Sequence, residues 1–183
     1  MKRLYGLLIA IAALFVFLPL AAAADTDGDE HPVQRWDQEI NTTSRFKVLS
    51  AFGGDAVRDN ETGLVWEQSP STSTFPWSSG GTTAALHCNQ LTTGGRLGWR
   101  LPTIQELASL VDPTLSFPAL PSGNPFNAAH VQSNYYWSAT TDASDPSNAW
   151  AVHLGVGTVG FGGGLANKLY VWCVRGGQGV NPQ

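Results

Sequence analysis

Asp25-Thr26-Asp27-Gly28-Asp29-Glu30 places carboxylates on alternate residues around a glycine, as a calcium loop does. The distal bidentate glutamate and flanking helices of such a loop are missing, and a solvated acidic tail accounts for the same residues. Gly155-Val156-Gly157-Thr158-Val159-Gly160 has the literal spacing of the dinucleotide fingerprint, whose glycines let a strand turn tightly into a helix that receives pyrophosphate. Here Gly162, Gly163 and Gly164 follow and no helix signal begins, so a strand, a turn and a second strand are expected instead. His87, His130 and His153 share no metal-ligand spacing on one element, and neither a G-x-S-x-G elbow nor an H-E-x-x-H helix occurs. No catalytic residue, metal ligand or cofactor is therefore assigned, although a triad assembled in space stays open.

The remaining reactive pair is Cys88 and Cys173, the two cysteines of the chain. Lys2 and Arg3, the apolar run from Leu4 to Leu20 and the small residues Ala22-Ala23-Ala24 read as an export signal cleaved before Asp25. Export makes a disulfide the default reading of the two cysteines, and closing a loop of that length stabilises by roughly 4 to 5 kcal/mol in the chain-entropy model. Residues 25–183 are enough for one domain with a sizeable core, and no second apolar segment approaches membrane length. A secreted, periplasmic or cell-envelope location follows. Without Lys2 and Arg3, 8 basic residues face 14 acidic ones, a net charge of −6. That balance disfavours nucleic acid and other polyanions, and the sequence contains no basic cluster.

These groups need elements to position them. Residues 25–45 lack hydrophobic period and read as an acidic, flexible N-terminal segment; residues 178–183 read as a tail. Asn41-Thr42-Thr43 and Asn60-Glu61-Thr62 have the form of glycosylation sequons, triplets that also occur by chance. From Phe46 apolar residues gather, and Val57 to Trp66 reads as strand, turn, strand with Asn60 to Gly63 turning. Ser69 to Gly81 reads as a loop. Thr83 is set to cap a helix bearing Ala84, Cys88 and Leu91 on one face, stopped by Gly94-Gly95.

In Trp99 to Leu107, W-R-L-P-T-I-Q-E-L, Thr103 and Glu106 have the T-x-x-E spacing that satisfies orphan amides at a helix start. Pro102 keeps Leu101 extended, and Ile104, Leu107, Ala108 and Val111 form the apolar face of about two turns ending at Asp112-Pro113. Pro113 to Asn134 has neither period, and an irregular loop of about 20 residues is usually functional or mobile. Tyr135 to Thr140, Ala149 to Leu154, Thr158 to Phe161 and Leu169 to Val174 read as antiparallel strands. Trp66, Trp137, Trp150 and Trp172 lie within strand-like runs and are expected in the core, whereas Trp77 sits in a Pro- and Ser-rich loop. The order is α+β.

Five blocks in this order resemble the Lcl-type C-terminal domain family: D-N-E-T-G-L-V-W at Asp59 to Trp66, W-R-L-P-T-I-Q-E-L at Trp99 to Leu107, Y-W-S-A-T at Tyr136 to Thr140, A-W-A-V at Ala149 to Val152, and Y-V-W-C-V-R-G-G at Tyr170 to Gly177. The resemblance spans residues 46–177. It implies a C-type lectin-like fold with two short helices, a mostly antiparallel twisted sheet and a long irregular loop. It also implies a bond between Cys88 on the first helix and Cys173 on the last strand. R-L-P-T-x-x-E resembles the formylglycine-generating enzymes as well, whose copper needs a pair of free thiols. The calcium-lectin motifs E-P-N or Q-P-D and W-N-D are absent.

The function expected is an exported, non-catalytic binding or adhesion module that recognises a glycan or extracellular protein through loops. The alternatives are an enzyme related to the formylglycine-generating oxidases and a structural envelope subunit. Candidate contacts are Phe117, Phe126, Asn127 and His130 in the long loop, Asp142 and Asp145 in the next turn, and Trp77. Aromatic faces stack on sugars or peptides, Asn127 and His130 direct hydrogen bonds, and the two aspartates attract cations. Phe117 and Phe126 could instead tack the loop to the core, and Asp142, Asp145 and Asn148 could simply shape a turn.

Overall fold

The computed structural model describes residues 45–176. The expected leader, all of the acidic segment except Arg45, the sequon at Asn41 and the C-terminal tail lie outside the described residues. Among the described residues, no helix is long and apolar enough to cross a membrane.

The domain is α+β; the described residues form nine short strands, two short α-helices and two single 3-10 turns. β1 (Phe46–Val48), β2 (Ala56–Asp59), β3 (Val65–Glu67) and β9 (Val174–Arg175) make one antiparallel sheet in the order β1-β2-β3-β9. β5 (Tyr135–Thr141), β6 (Asn148–His153) and β7 (Thr158–Gly164) make a second, and β4 (Phe75–Pro76) pairs with β8 (Lys168–Leu169). A parallel bridge between Tyr136 and Tyr170 and an antiparallel one between Arg100 and Val174 link these pieces.

Local chemistry explains the turns. In the β2–β3 connection the Asp59 carboxylate accepts from the Glu61 amide at 3.0 Å, and Gly63 takes φ +72°, a conformation that favours glycine. Asp59 is itself buried and held by Arg45, whose Nη2 lies 2.9 Å from Oδ2 and also donates to the Ser109 carbonyl at 2.6 Å. Arg45 thus anchors to the folded domain rather than belonging to a loose acidic segment.

Helix α1 (Ala84–Asn89) starts where Thr83 Oγ1 accepts from the Leu86 amide, and it ends before Gly94-Gly95. Helix α2 (Ile104–Ala108) carries the full capping box. Glu106 also pairs with Arg100 through two hydrogen bonds of 2.8 and 2.6 Å, and Arg100 reaches the Gly176 carbonyl. The W-R-L-P-T junction is therefore a clamp: one carboxylate closes the helix cap and holds the arginine that ties the C-terminal strand. α2 is shorter than the expected two turns because the chain tightens after Ala108, where Leu110 and Val111 donate to Leu107 and Ala108 three residues back. That tightening buries Leu110 beside Leu107, with Val111 half-buried.

Two apolar clusters form the core. Val57, Trp66, Leu107, Tyr136, Val152 and Trp172 belong to one; Phe52, Ala56, Cys88, Trp99, Trp137 and Cys173 belong to the other. Cys88 and Cys173 are joined, with Cα atoms 5.4 Å apart, so the bond staples α1 to the segment entering β9.

Three readings are corrected. The loop at Ser69 to Gly81 contains β4. The single strand expected over Leu169 to Val174 is two strands in different sheets, because Tyr170 to Cys173 crosses between them, Trp172 in one core cluster and Val171 in the other. Trp150 is half-buried rather than in the core, its ring 4.2 Å from that of Phe161.

Candidate functional site

The long loop, residues 113–134, contains no helix or strand. Its polar candidates are engaged within the protein. The Asn127 amide donates to the Gln68 carbonyl at 2.8 Å, its Nδ2 donates to Ser69 Oγ at 3.1 Å, and its Oδ1 accepts from Ala129. His130 places Nδ1 3.0 Å from the Pro70 carbonyl oxygen. Both residues therefore bind this loop to residues 68–70. Phe126 is buried against the rings of Phe46 and Trp172, at 5.1 and 4.7 Å, so its expected role as an exposed contact is replaced by core packing.

Asp142 accepts from Ser144, and Asp145 from Ser147 and Asn148. Hydrogen bonds from Ser147 hold the Asp145 carboxyl below its ordinary range. These residues shape the β5–β6 turn. Trp77 is half-buried; its Nε1 donates to the Ser138 carbonyl at 2.7 Å and its amide to Leu165, so the indole is fixed to the scaffold.

Phe117 differs from the rest. It is 70 % exposed and held at φ +54°, an outlying conformation for a bulky residue. Its amide donates to the Gly155 carbonyl at 2.7 Å, which seats it beside the turn entering β7. Val156 in that turn and Val159 and Phe161 on β7 are 46, 49 and 48 % exposed.

The strand register explains this strip. β7 is an outer strand with no second partner among the described residues. Val159 stands opposite Val152 and Phe161 opposite Trp150, so the two large side chains of β7 share a face. Gly160 and Gly162 point to the other face, where a Cβ on Gly162 would overlap the Trp137 indole. Gly162 thus lets β7 lie close on Trp137 while Val159 and Phe161 stay outside. Gly157, at φ +72°, makes the turn, and its missing side chain leaves room for Val111. The G-x-G-x-x-G spacing is a strand-turn-strand, as expected. Phe117, Val156, Val159 and Phe161 make up four of the seven large apolar residues exposed among the described residues. Isolated exposed apolar residues are ordinary; these four lie on β7, in the turn before it and at the loop corner hydrogen-bonded to that turn.

Candidate acids, bases and nucleophiles are turned to local roles. His87 stacks on Phe75 at 4.2 Å, and burial lowers its pKa. His153 Nδ1 accepts from the Gly155 amide, while Ser138 is buried and donates to the Trp150 carbonyl. Both cysteines being joined, neither offers a thiol. Among the described residues no group of three or more His, Cys, Asp or Glu side chains is placed to hold a metal. The most perturbed carboxyl is Glu67, raised from 4.5 to about 7 by burial, although its Oε2 accepts from the Cys173 amide at 3.0 Å.

Residues 55–175 match the Lcl C-terminal domain, and the chain belongs to that family. No curated protein matches it.

Proposed function

We propose that this protein is an exported, non-catalytic binding or adhesion module on a C-type lectin-like scaffold, taking a glycan or extracellular protein on the strip formed by Phe117, Val156, Val159 and Phe161. The observation that carries this reading is the position of the strip: two exposed apolar side chains on the outer strand β7, with Val156 in the turn before it and Phe117 seated beside that turn, on a domain stapled by Cys88–Cys173. Aromatic rings present flat apolar faces that stack on the hydrogen-bearing side of a sugar ring or cover a side chain of a protein partner. Phe161 is backed by Trp150 and so presents its ring from a fixed position, which lowers the ordering cost of binding.

Recognition is thereby assigned to β7 and the Phe117 corner of the long loop rather than to the Asn127 amide and His130, whose Nδ1 is engaged with Pro70. A structural envelope subunit would pack through the same unpaired edge, and the two readings differ in what is retained. Probing glycan and protein arrays with the purified exported chain tests the proposal. A retained ligand that is lost with Phe117→Ser or Phe161→Ser, at unchanged melting temperature, supports it. Self-association lost with the same variants, and no retained ligand, selects the structural subunit.

A further inference from the structure

The paired arginines of the domain are Arg45 and Arg100. Four of the other cations, Lys47, Arg58, Arg96 and Arg175, make no ion pair among the described residues, although Arg175 Nε donates to the Leu97 carbonyl at 2.7 Å. Register brings three of them into line: Lys47 opposes Arg58, Arg58 opposes Val65, and Val65 opposes Arg175. Residues directly opposite across antiparallel strands share a face, so these side chains form one row across all four strands. With neighbouring strands about 4.8 Å apart, the row is about 14 Å long. Arg96 extends it, since the guanidinium groups of Arg96 and Arg175 lie 5.6 and 5.8 Å from the same Phe52 ring. Nothing in the order of the sequence reveals this cluster, because its members come from residues 47, 58, 96 and 175; only the strand register assembles it.

The row is electrostatically incomplete. Like charges directly opposite, as Lys47 and Arg58 are, destabilise a sheet, and a buried donor without an acceptor adds the cost of its lost hydration. Arg58 Nε is such a donor, buried and without a hydrogen-bond partner among the described residues. The row contains no acidic residue. Glu67, two residues from Val65 on the same strand, is buried and turned to the Cys173 amide.

We infer that the Lys47–Arg58–Arg175 row is an anion-recognition site for a carboxylate-rich polypeptide segment of a partner protein, separate from the apolar strip on β7. A planar guanidinium fork matches a carboxylate bidentately. In an extended peptide, carboxylates on alternate residues recur every 6.5 to 7 Å or so, which fits two or three of them along the row. A dense polyanion fits less well. Its affinity comes from releasing counterions over many contacts, and this row offers few cations on a chain whose net charge is −4.

The test is fluorescence anisotropy with a labelled 12-residue peptide carrying glutamate at every second position and serine between, beside the same peptide with glutamine for glutamate. The exported chain should bind the acidic peptide at 20 mM salt and lose it at least tenfold at 300 mM. Arg58→Gln and Lys47→Glu should each weaken binding at least fivefold, Arg58→Lys should retain part of it, and Phe161→Ser should leave it unchanged. Without peptide, Arg58→Gln should melt no lower than wild type, because a like-charge contact and an unpaired donor are both removed; with peptide, the melting temperature should rise in wild type and in Phe161→Ser but not in Arg58→Gln. Equal affinity of wild type and the Arg58→Gln and Lys47→Glu variants overturns the site. Binding of dextran sulfate but not of the glutamate peptide overturns the assignment to a polypeptide. Failure of the β7 strip variants to lose their ligand would refute the function proposed above and leave this row standing.

Discussion

Glu67 should make the domain more stable in mild acid than at alkaline pH, against the usual behaviour of a carboxylate. It lies on β3, 5 % exposed, beside the disulfide strand. Loss of hydration raises its pKa to about 7 from the 4.5 of a free side chain, and the hydrogen bond from the Cys173 amide only partly offsets this. The folded state therefore holds the Glu67 proton more tightly than the unfolded chain does. The resulting stability is fully present below pH 4.5 and is lost as pH rises through 7. At 1.36 kcal/mol per pH unit, the distance from 4.5 to about 7 corresponds to roughly 3 kcal/mol. Glu67→Gln keeps an oxygen for the Cys173 amide and carries no charge at any pH. Urea unfolding with the disulfide intact, at half-unit steps from pH 4.5 to 8.5, gives the assay. The variant should match wild type near pH 4.5 and exceed it by about 3 kcal/mol at pH 8.5. His87, whose pKa is lowered by burial, acts in the opposite direction in both proteins and cancels in the difference. Parallel curves for the two proteins would refute the burial argument.

Replacing Cys173 by Ser should cost about 2 to 5 kcal/mol in chemical denaturation, because the 85-residue separation it spans is no longer closed in the unfolded chain. Thr103→Ala removes the acceptor for the Glu106 amide and should cost about 0.5 to 2 kcal/mol with ligand binding by the folded fraction unchanged. Gly162→Ala forces a methyl group into the Trp137 ring and should destabilise by about 1 to 3 kcal/mol, visible as a lower melting temperature and altered tryptophan fluorescence.

How much was legible in the sequence depended on the range of each interaction. The T-x-x-E cap, the Asn60 to Gly63 turn and the Thr83 cap are made among near neighbours, so residue type and spacing specify them. The disulfide followed from compartment and from a count of two. Asn127 and His130 looked available because their partners are Ser69 and the carbonyls of Gln68 and Pro70, about 60 residues away, and a backbone carbonyl leaves no mark in the sequence. Trp150 was misplaced because a strand pattern gives alternation but not which face is covered, and a register shift between Asn148 and Trp150 adds to the ambiguity. The β7 strip did leave a signal: Val159-Gly160-Phe161-Gly162 alternates a large residue with none, the pattern of a strand pressed to the scaffold on one side and open on the other.

The most direct test of the binding account is a pair of titrations with one ligand taken from the arrays, using variants whose melting temperatures equal that of wild type. Phe161→Ser should weaken binding by tenfold or more, while the Asn127→Ala and His130→Ala pair, engaged with residues 68–70, should change it by less than about twofold. Full affinity in Phe161→Ser together with loss in the Asn127 and His130 pair would return recognition to the long loop and contradict the β7 surface.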